Sequence, residues 1–444
     1  MARLFGTDGV RGVANADLTP ELAFRLGRAH ASRTLGCGRP RLVVGKDTRL
    51  SSDMLEAAYV SGACSVGADV LCAGVLPTPG VAWLIGRYAA QGGAMISASH
   101  NPAPDNGIKL FDSRGFKLPD EEEEQIESLL EGPDRLPRPT GEGLGRPLHL
   151  EEEAREQYLE FVAANAGSLA GLKVVLDCAH GAAYLAGPQL FRRLGAEVVV
   201  LHDQPDGSNI NRGCGSTHPA ALQEAVRGLE ADLGLAFDGD ADRCLAVDSR
   251  GRLVDGDPML LIFANWLKEA GRLNGHLVVA TVMSNFGLEE ALRRRGIEMA
   301  RAPVGDRYVL AEMLARGGVL GGEQSGHIIF LDRNTTGDGL LTGALLASIV
   351  AASGRGLHEL AADLERRPQK LVNVPARHKD RLSQDEEIAA AVARVEERLR
   401  HRGRVLVRPS GTEPLVRVMA EGPDAGELDE VISQLSQIIQ ERLG

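Results

Sequence analysis

The chain reads as an α/β protein made of successive units. Short strand-like runs rich in valine, leucine and alanine alternate with helical stretches, and four loops bearing reactive side chains each accompany such a run. Residues 41–45, 68–72 and 94–96 read as strands separated by helical stretches, and 121–131 adds an acidic helix. The Pro/Gly-rich passage 132–147 reads as a linker. Residues 172–177 open a second α/β unit that closes near the turn 248–251. A third runs from a helix around 259–264 through a strand at 276–280 to a helix at 340–350. The fourth begins near 371–374 and ends with an amphipathic helix at 428–443. The expected domains are 1–150, 151–250, 251–368 and 369–444, each contributing one functional loop to a shared cleft.

The first loop is the most informative. An apolar strand empties into Ser97-Ala-Ser99-His100-Asn-Pro102, with Lys109 close behind. A serine on the turn after a buried strand is held in place yet presented to a ligand, so Ser99 is the candidate nucleophile. Ser97, two residues back at the strand end, should matter far less. The competing reading, a hydroxyl that merely stabilises a turn, is the commoner one for an isolated Ser beside Asn-Pro.

The second loop weakens that competing reading. Asp238-Gly-Asp240-Ala-Asp242-Arg243 follows an apolar run and alternates three carboxylates with two small residues, which on an extended segment would point one way around an ion. Three hard oxygen ligands suit Mg2+. A calcium loop would need Gly at its sixth position and Glu at its twelfth, where this chain has Arg243 and Ser249.

Glu323-Gln-Ser325-Gly-His327 offers a carboxylate, a hydroxyl and an imidazole suited to sugar hydroxyls. Arg408-Pro-Ser410-Gly411-Thr412, with Arg417 beyond, sets a small-residue turn between two β-branched runs flanked by arginines, a phosphate nest by its donors. A nucleophilic serine, a Mg2+ loop, a hydroxyl-reading loop and a separate phosphate anchor together describe moving a phosphoryl group between two positions of one sugar.

Composition agrees. With 61 acidic and 49 basic residues the net charge is −12, and aromatics make up 4 % of the chain, which argues against a nucleic-acid binder. An acidic protein that binds an anionic sugar must concentrate cations locally, as Arg11, Lys109, Arg243, Arg307, Arg408 and Arg417 would do. No run is long enough to span a membrane and no basic-then-apolar leader opens the chain, so no membrane partner and a cytoplasmic location are expected. Cys37, Cys64, Cys72, Cys178, Cys214 and Cys244 contain no Cys-x-x-Cys pair and read as reduced.

The same loops carry a resemblance. In order, the chain contains Phe5-Gly-Thr-Asp-Gly-Val-Arg11, Gly45-Lys-Asp-Thr-Arg49, Ile96-Ser-Ala-Ser-His-Asn-Pro102, Asn209-Ile-Asn, Cys214-Gly-Ser-Thr-His218, Asp238 to Arg243, Gly322-Glu-Gln-Ser-Gly-His327, Thr335-Thr-Gly-Asp-Gly339 and Arg408-Pro-Ser-Gly-Thr-Glu-Pro414. Taken in this sequence they resemble the α-D-phosphohexomutases over the whole length. Gln324 and the Cys-Gly-Ser-Thr-His segment are similar to the glucosamine branch.

The resemblance implies four domains around a central cleft, three related mixed-sheet α/β domains and a smaller C-terminal α/β domain. It implies an isomerase that uses a phosphorylated Ser99 and one Mg2+ per active site, held by Ser99, Asp238, Asp240 and Asp242. Its substrate would be a small phosphosugar, with glucosamine 1,6-bisphosphate as intermediate or activator, on the route to UDP-N-acetylglucosamine and cell-wall precursors. Lys109, Arg11 and His327 match the positions the family uses near the reacting oxygens. Lys109 would need its pKa lowered to act as a base. Arg243, Arg307, Glu323, Ser325, Arg408, Ser410, Gly411, Thr412 and Arg417 would bind substrate, and a homodimer is the family expectation. Three alternatives stand beside it: a phosphomannomutase/phosphoglucomutase of the same superfamily, a serine-dependent phosphomonoesterase that needs no remote anchor, and a non-catalytic phosphosugar sensor with decayed catalytic positions.

Overall fold

The computed structural model describes residues 4–6, 8–36, 39–410 and 414–444. They fall into two units by their internal contacts, one comprising residues up to 282 together with 300–361, the other 283–299 together with 362–444.

Three sheets belong to the first part of the chain. The first has strand order Val10–Val13, Asp105–Phe111, Gly92–Ile96, Arg41–Lys46, Asp69–Val75, Pro147–His149. The second has Leu253–Val254, Cys244–Asp248, Leu233–Phe237, Lys173–Asp177, Glu197–Leu201, and the third Glu298–Ala302, Leu277–Thr281, Leu320–Gly322, Ile328–Phe330. Their central strands are buried along their length and read as near-continuous apolar runs, as parallel strands covered on both faces must.

One arrangement recurs in all three. A strand that lies parallel to its neighbour is followed by a short loop and an antiparallel return strand. Gly92–Ile96 returns as Asp105–Phe111, Leu233–Phe237 as Cys244–Asp248, and Leu320–Gly322 as Ile328–Phe330. The Ser99, Asp238 and Glu323 loops are these three connections. Each functional loop is therefore a hairpin turn whose ends are pinned by ladder hydrogen bonds.

The Pro/Gly-rich passage departs from the expected linker. Arg28, 1 % exposed, donates to the carbonyls of Leu136 at 3.2 Å and Pro137 at 3.3 Å, and the passage ends as the edge strand Pro147–His149, parallel to Val70–Cys72. Prolines that cannot donate to a ladder still offer carbonyls, and a buried guanidinium takes them.

The helix Pro20–Arg33 begins at Thr19, whose side chain accepts the Leu22 N–H, and it buries His30 with Nδ1 2.6 Å from the Tyr59 hydroxyl. Burial pushes the imidazole down to about 4. Between that value and the unfolded value of 6.5 the native state binds fewer protons, so this contribution to stability is lost as pH falls through the window. His30→Gln should remove up to about 3 kcal/mol of acid sensitivity. Urea midpoints of variant and wild type at about pH 7 and about pH 4.5 check it, and equal pH dependence would show that His30 is not an acid-sensitive group.

The second unit carries an antiparallel sheet of Gln369–Pro375, Leu415–Glu421 and Arg404–Pro409, with the helices Glu386–Leu399 and Ala425–Leu443 sharing its apolar core through Ile388, Val395, Val431 and Leu435. The segment 283–299, placed by chain order with the third expected domain, packs into this unit. Asn285 Nδ2 donates to Glu421 Oε1 at 3.1 Å, and Arg367 bridges to Glu290 at 2.6 Å. Cys64, Cys72, Cys178, Cys214 and Cys244 are unbridged, and Cys37 lies outside the described residues. Among the described residues no helix is long and apolar enough to cross a membrane.

Candidate active site

Ser99 leaves its strand in the left-handed region, φ 51°, an uncommon conformation for a residue with a side chain and one kept only where the surroundings over-determine it. They do so here. Its N–H donates to Ser97 Oγ at 3.0 Å, and Ser97 Oγ donates to Asp47 Oδ2 at 2.6 Å. Its carbonyl accepts Arg49 at 3.0 Å and Asn211 Nδ2 at 2.8 Å. Arg49, in a fully buried ion pair with Asp47, also donates to the carbonyls of Asn101 at 2.8 Å and Pro102 at 2.5 Å. Ser97 is thus a structural bolt of the loop, contrary to its expected mildness. Removing this buried hydroxyl would strip the Ser99 N–H of its acceptor and leave Asp47 Oδ2 with Arg49 Nε alone, at 2.9 Å.

Ser99 Oγ donates to Asp238 Oδ2 at 2.7 Å, and His100 Nδ1 lies 3.3 Å from the same hydroxyl. The acidic loop is not the extended segment the alternation suggested. Residues 239–242 form a turn in which the Ala241 N–H donates to the Asp238 carbonyl at 3.0 Å and Ala241 has φ 53°. Three other segments hold its carbonyls: Ala182 N–H on Gly239 at 2.8 Å, Thr78 N–H on Asp240 at 2.9 Å and Gly339 N–H on Ala241 at 3.0 Å. Gly239 is required by close approach, since a Cβ there would stand 2.4 Å from the Ser99 carbonyl oxygen.

Asp238, Asp240 and Asp242 are all buried, with one oxygen from each lying within 4.8 Å of the others. Oδ1 of Asp240 and Oδ1 of Asp242 are buried without a hydrogen-bond partner. Burial and the charges of Asp242 and Asp240 push the Asp238 carboxyl well above its ordinary range. Hard, crowded, under-satisfied oxygens fit a divalent cation, which would relieve both the repulsion and the orphaned atoms.

Lys109, 1 % exposed, places Nζ 2.8 Å from Asp240 Oδ2, 3.1 Å from Asp8 and 3.5 Å from Asp242. Burial opposes its charge, but Asp240, Asp8 and Asp242 outweigh burial and raise its pKa well above the lysine range. This is opposite to the lowering that a base at Lys109 would need, because three carboxylates surround the ammonium. Asp8 also pairs with Arg11 and Lys117, and Lys117 reaches Asp306 at 2.5 Å.

His327 lies at the end of the third hairpin loop. Its Nε2 accepts the Gly337 N–H at 3.2 Å and stands 3.7 Å from Asp306 and 4.0 Å from Asp242. A Cβ on Gly337 would meet the ring at 2.5 Å. The neighbouring Asp338 caps the helix Gly339–Ser353, accepts the Tyr158 hydroxyl at 2.8 Å, and is raised to about 6 by burial. Glu323 Oε1 accepts the Gly305 N–H at 3.1 Å, and Ser325 beside it is partly exposed. Arg243 reaches Asp242 at 3.9 Å and is three-quarters covered. Arg307 departs from its expected place as a cation offered to substrate: it pairs with Asp120 and, at 3.1 Å, with Glu123 of the helix Asp120–Leu130.

In the other unit, Arg408 and Arg417 are direct cross-strand partners. Like charges in that register repel, and burial with the charge of Arg417 pushes the Arg408 pKa down. An anion would relieve this. Ser410 is 5 % exposed, and its carbonyl accepts Lys379 Nζ at 2.6 Å. Gly411 and Thr412 lie outside the described residues.

Sequence reasoning passed over Asp8, Asp47, Arg49, Thr78, Asn211, Asp306, Gly337 and Lys379 as site residues. Asp8, Asp47, Arg49, Asn211 and Gly337 fall inside the recognised motifs, and that was the available signal.

The chain matches the phosphoglucomutase/phosphomannomutase alpha/beta/alpha domain I over residues 2–136, domain II over 156–251, domain III over 255–367 and the C-terminal domain over 371–438. It belongs to the phosphoglucomutase/phosphomannomutase family, within the phosphohexomutase superfamily. Inside that family it is similar to the phosphoglucosamine mutase of Moorella thermoacetica, 57 % identical with 99 % of each chain covered. It is similar also to that of Symbiobacterium thermophilum, 55 % identical with 100 % of each covered. A phosphoglucomutase/phosphomannomutase family protein from Burkholderia thailandensis superimposes with a TM-score of 0.84 at 25 % identity, covering 100 % of this chain and 98 % of that one. The N-acetylphosphoglucosamine mutase of Aspergillus fumigatus, solved with GlcNAc-6P and magnesium, gives 0.70 at 18 % identity over 99 % and 95 %, a likeness of fold alone.

Proposed function

We propose that the chain is a phosphoglucosamine mutase, interconverting glucosamine 6-phosphate and glucosamine 1-phosphate through a phosphorylated Ser99 and a bound glucosamine 1,6-bisphosphate. It would act in the cytoplasm, as a homodimer by family resemblance, and supply UDP-N-acetylglucosamine and cell-wall precursors. One observation carries the reading: a strained, clamped serine hydroxyl 2.7 Å from Asp238 in a buried triad of carboxylates.

Asp238, Asp240 and Asp242 with Ser99 would hold Mg2+, which when bound neutralises charge on the phosphoryl group in transfer. Phosphoserine at Ser99 would otherwise bring its charge against three carboxylates. Lys109, held as a cation by its neighbours, would stabilise the phosphoryl oxygens, with Arg11 and Arg243 on the same developing charge. His327 would exchange the proton of the attacking sugar hydroxyl at Nε2, releasing the Gly337 N–H that this nitrogen accepts at rest. Glu323 and Ser325 would orient ring hydroxyls. After the first transfer the bisphosphate must turn round, so that its original phosphate meets Ser99.

Arg408, Ser410, Gly411, Thr412 and Arg417 would grip whichever phosphate is not reacting. Arg307 would bind substrate only by leaving Asp120 and Glu123. Arg417→Ala should remove about 1.5 to 3 kcal/mol of charge-assisted binding, raising KM about ten- to a hundredfold. Escape of the bisphosphate should make this variant dependent on added sugar bisphosphate. Wild-type KM and indifference to bisphosphate would remove the anchor role and favour a phosphomonoesterase.

The overall test is kcat/KM for glucosamine 6-phosphate, glucose 1-phosphate and mannose 1-phosphate with Mg2+ and a trace of bisphosphate. Equal or better turnover of the glucose or mannose compound would move the chain to the phosphoglucomutase/phosphomannomutase branch. Inorganic phosphate as main product would make it a phosphatase.

A further inference from the structure

A second cluster of ligating side chains lies outside the phosphoryl-transfer residues. We propose that Asp177, His202 and Cys214 form a site for a divalent transition metal of the zinc class, distinct in chemistry from the all-carboxylate triad.

The donors come from three segments: the end of the strand Lys173–Asp177, the residue after Glu197–Leu201, and the residue before the short helix Gly215–Thr217. One ligand atom from each lies within 4.8 Å of the other two. Asp177 and Cys214 are fully buried, whereas the His202 side chain is 28 % exposed and gives the cluster one face to solvent. A carboxylate, an imidazole and a thiol together select zinc, cobalt or nickel over magnesium, which takes oxygen donors.

A second observation points to a ligand. His202 Nδ1, buried, faces Asp177 Oδ1 at 3.0 Å, an ion-pair contact that already sets the imidazole against the carboxylate. Asp177 keeps acceptor capacity. Its Oδ1 takes the Ala179 N–H at 3.0 Å and its Oδ2 the Gly215 N–H at 2.9 Å, two of about four lone-pair sites. His180 stands beside the open face, its ring 5.2 Å from that of His202 and its own buried Nδ1 without a partner.

The segments are already tied: Cys178 N–H to the Leu201 carbonyl at 3.1 Å, His180 N–H to the His202 carbonyl at 2.7 Å, and Asn211 N–H to the Ala179 carbonyl at 2.9 Å. The metal would find its donors preorganised, and the Cys214 S–H bond would break as the sulfur–metal bond forms, the proton leaving to solvent. Metal uptake would brace the loop that carries Asn211 onto the Ser99 carbonyl.

Co2+ titrated into the purified full-length, metal-stripped protein tests this. The wild type should develop the near-ultraviolet sulfur-to-cobalt charge-transfer band, bleached by Zn2+. Asp240→Asn should retain the band, Cys214→Ser should lose it, and His202→Asn should weaken cobalt binding by at least about tenfold. Absence of the band at near-stoichiometric Co2+, or its persistence in folded Cys214→Ser, would overturn the proposal. Should Cys214→Ser fail to fold, unchanged cobalt affinity in His202→Asn, whose ring is partly exposed, would overturn it equally.

Discussion

Ser99→Ala is expected to lower kcat by several orders of magnitude while leaving the fold intact. The hydroxyl is the one nucleophile that the first hairpin loop directs at the acidic triad, and no substitute stands there: Ser97 Oγ is spent between the Ser99 N–H and Asp47. The loop should survive the change, because what clamps residue 99 is its backbone. Ser97 takes its N–H, and Arg49 and Asn211 take its carbonyl. Alanine bears the same left-handed φ that serine already bears there. Single-turnover kinetics and peptide mass spectrometry check it. Phosphate found on Ser97 alone, or a variant with near-wild-type kcat, would defeat the assignment of the nucleophile.

Asp240→Asn is expected to weaken Mg2+ binding strongly and slow phosphoryl transfer by at least about a hundredfold, without unfolding the protein. Its Oδ2 already accepts Thr78 Oγ1 at 2.5 Å and Lys109 at 2.8 Å, which leaves the orphaned Oδ1 as the atom offered to a cation. An amide there is a poorer ligand for a hard ion. The fold should hold because Lys109 keeps Asp8 at 3.1 Å and Asp242 at 3.5 Å, so no buried ammonium is stranded. Calorimetric Mg2+ titration and thermal melts separate the outcomes. A variant that unfolds, in a protein whose wild type shows no metal dependence, would make the triad a structural carboxylate network.

The first three functional loops were legible because each is a short connection after a buried strand, where apolar pattern, turn residues and reactive side chains stand within a few residues of one another. The place of the Glu323 loop became plain as the third copy of one hairpin arrangement. Arg49 was visible within Gly45-Lys-Asp-Thr-Arg49, yet its work is done on carbonyls 50 to 56 residues away. No local pattern states which carbonyls a buried guanidinium will find. The 132–147 passage misled for a related reason: proline and glycine mark broken regularity, and broken regularity is not the same as absence of packing.

By itself the sequence determined the α/β class, the order of the loops and the chemistry each can supply, since residue type and strand period are local properties. Tertiary structure decided what those groups do to one another. It raised the Lys109 pKa by gathering Asp8, Asp240 and Asp242 around it, and it drew Arg307 onto Asp120 and Glu123. It made Ser97 a bolt and set Arg408 against Arg417 across two strands. Charge, desolvation and strain depend on distances between residues far apart in the chain, and those distances exist only once the chain has packed.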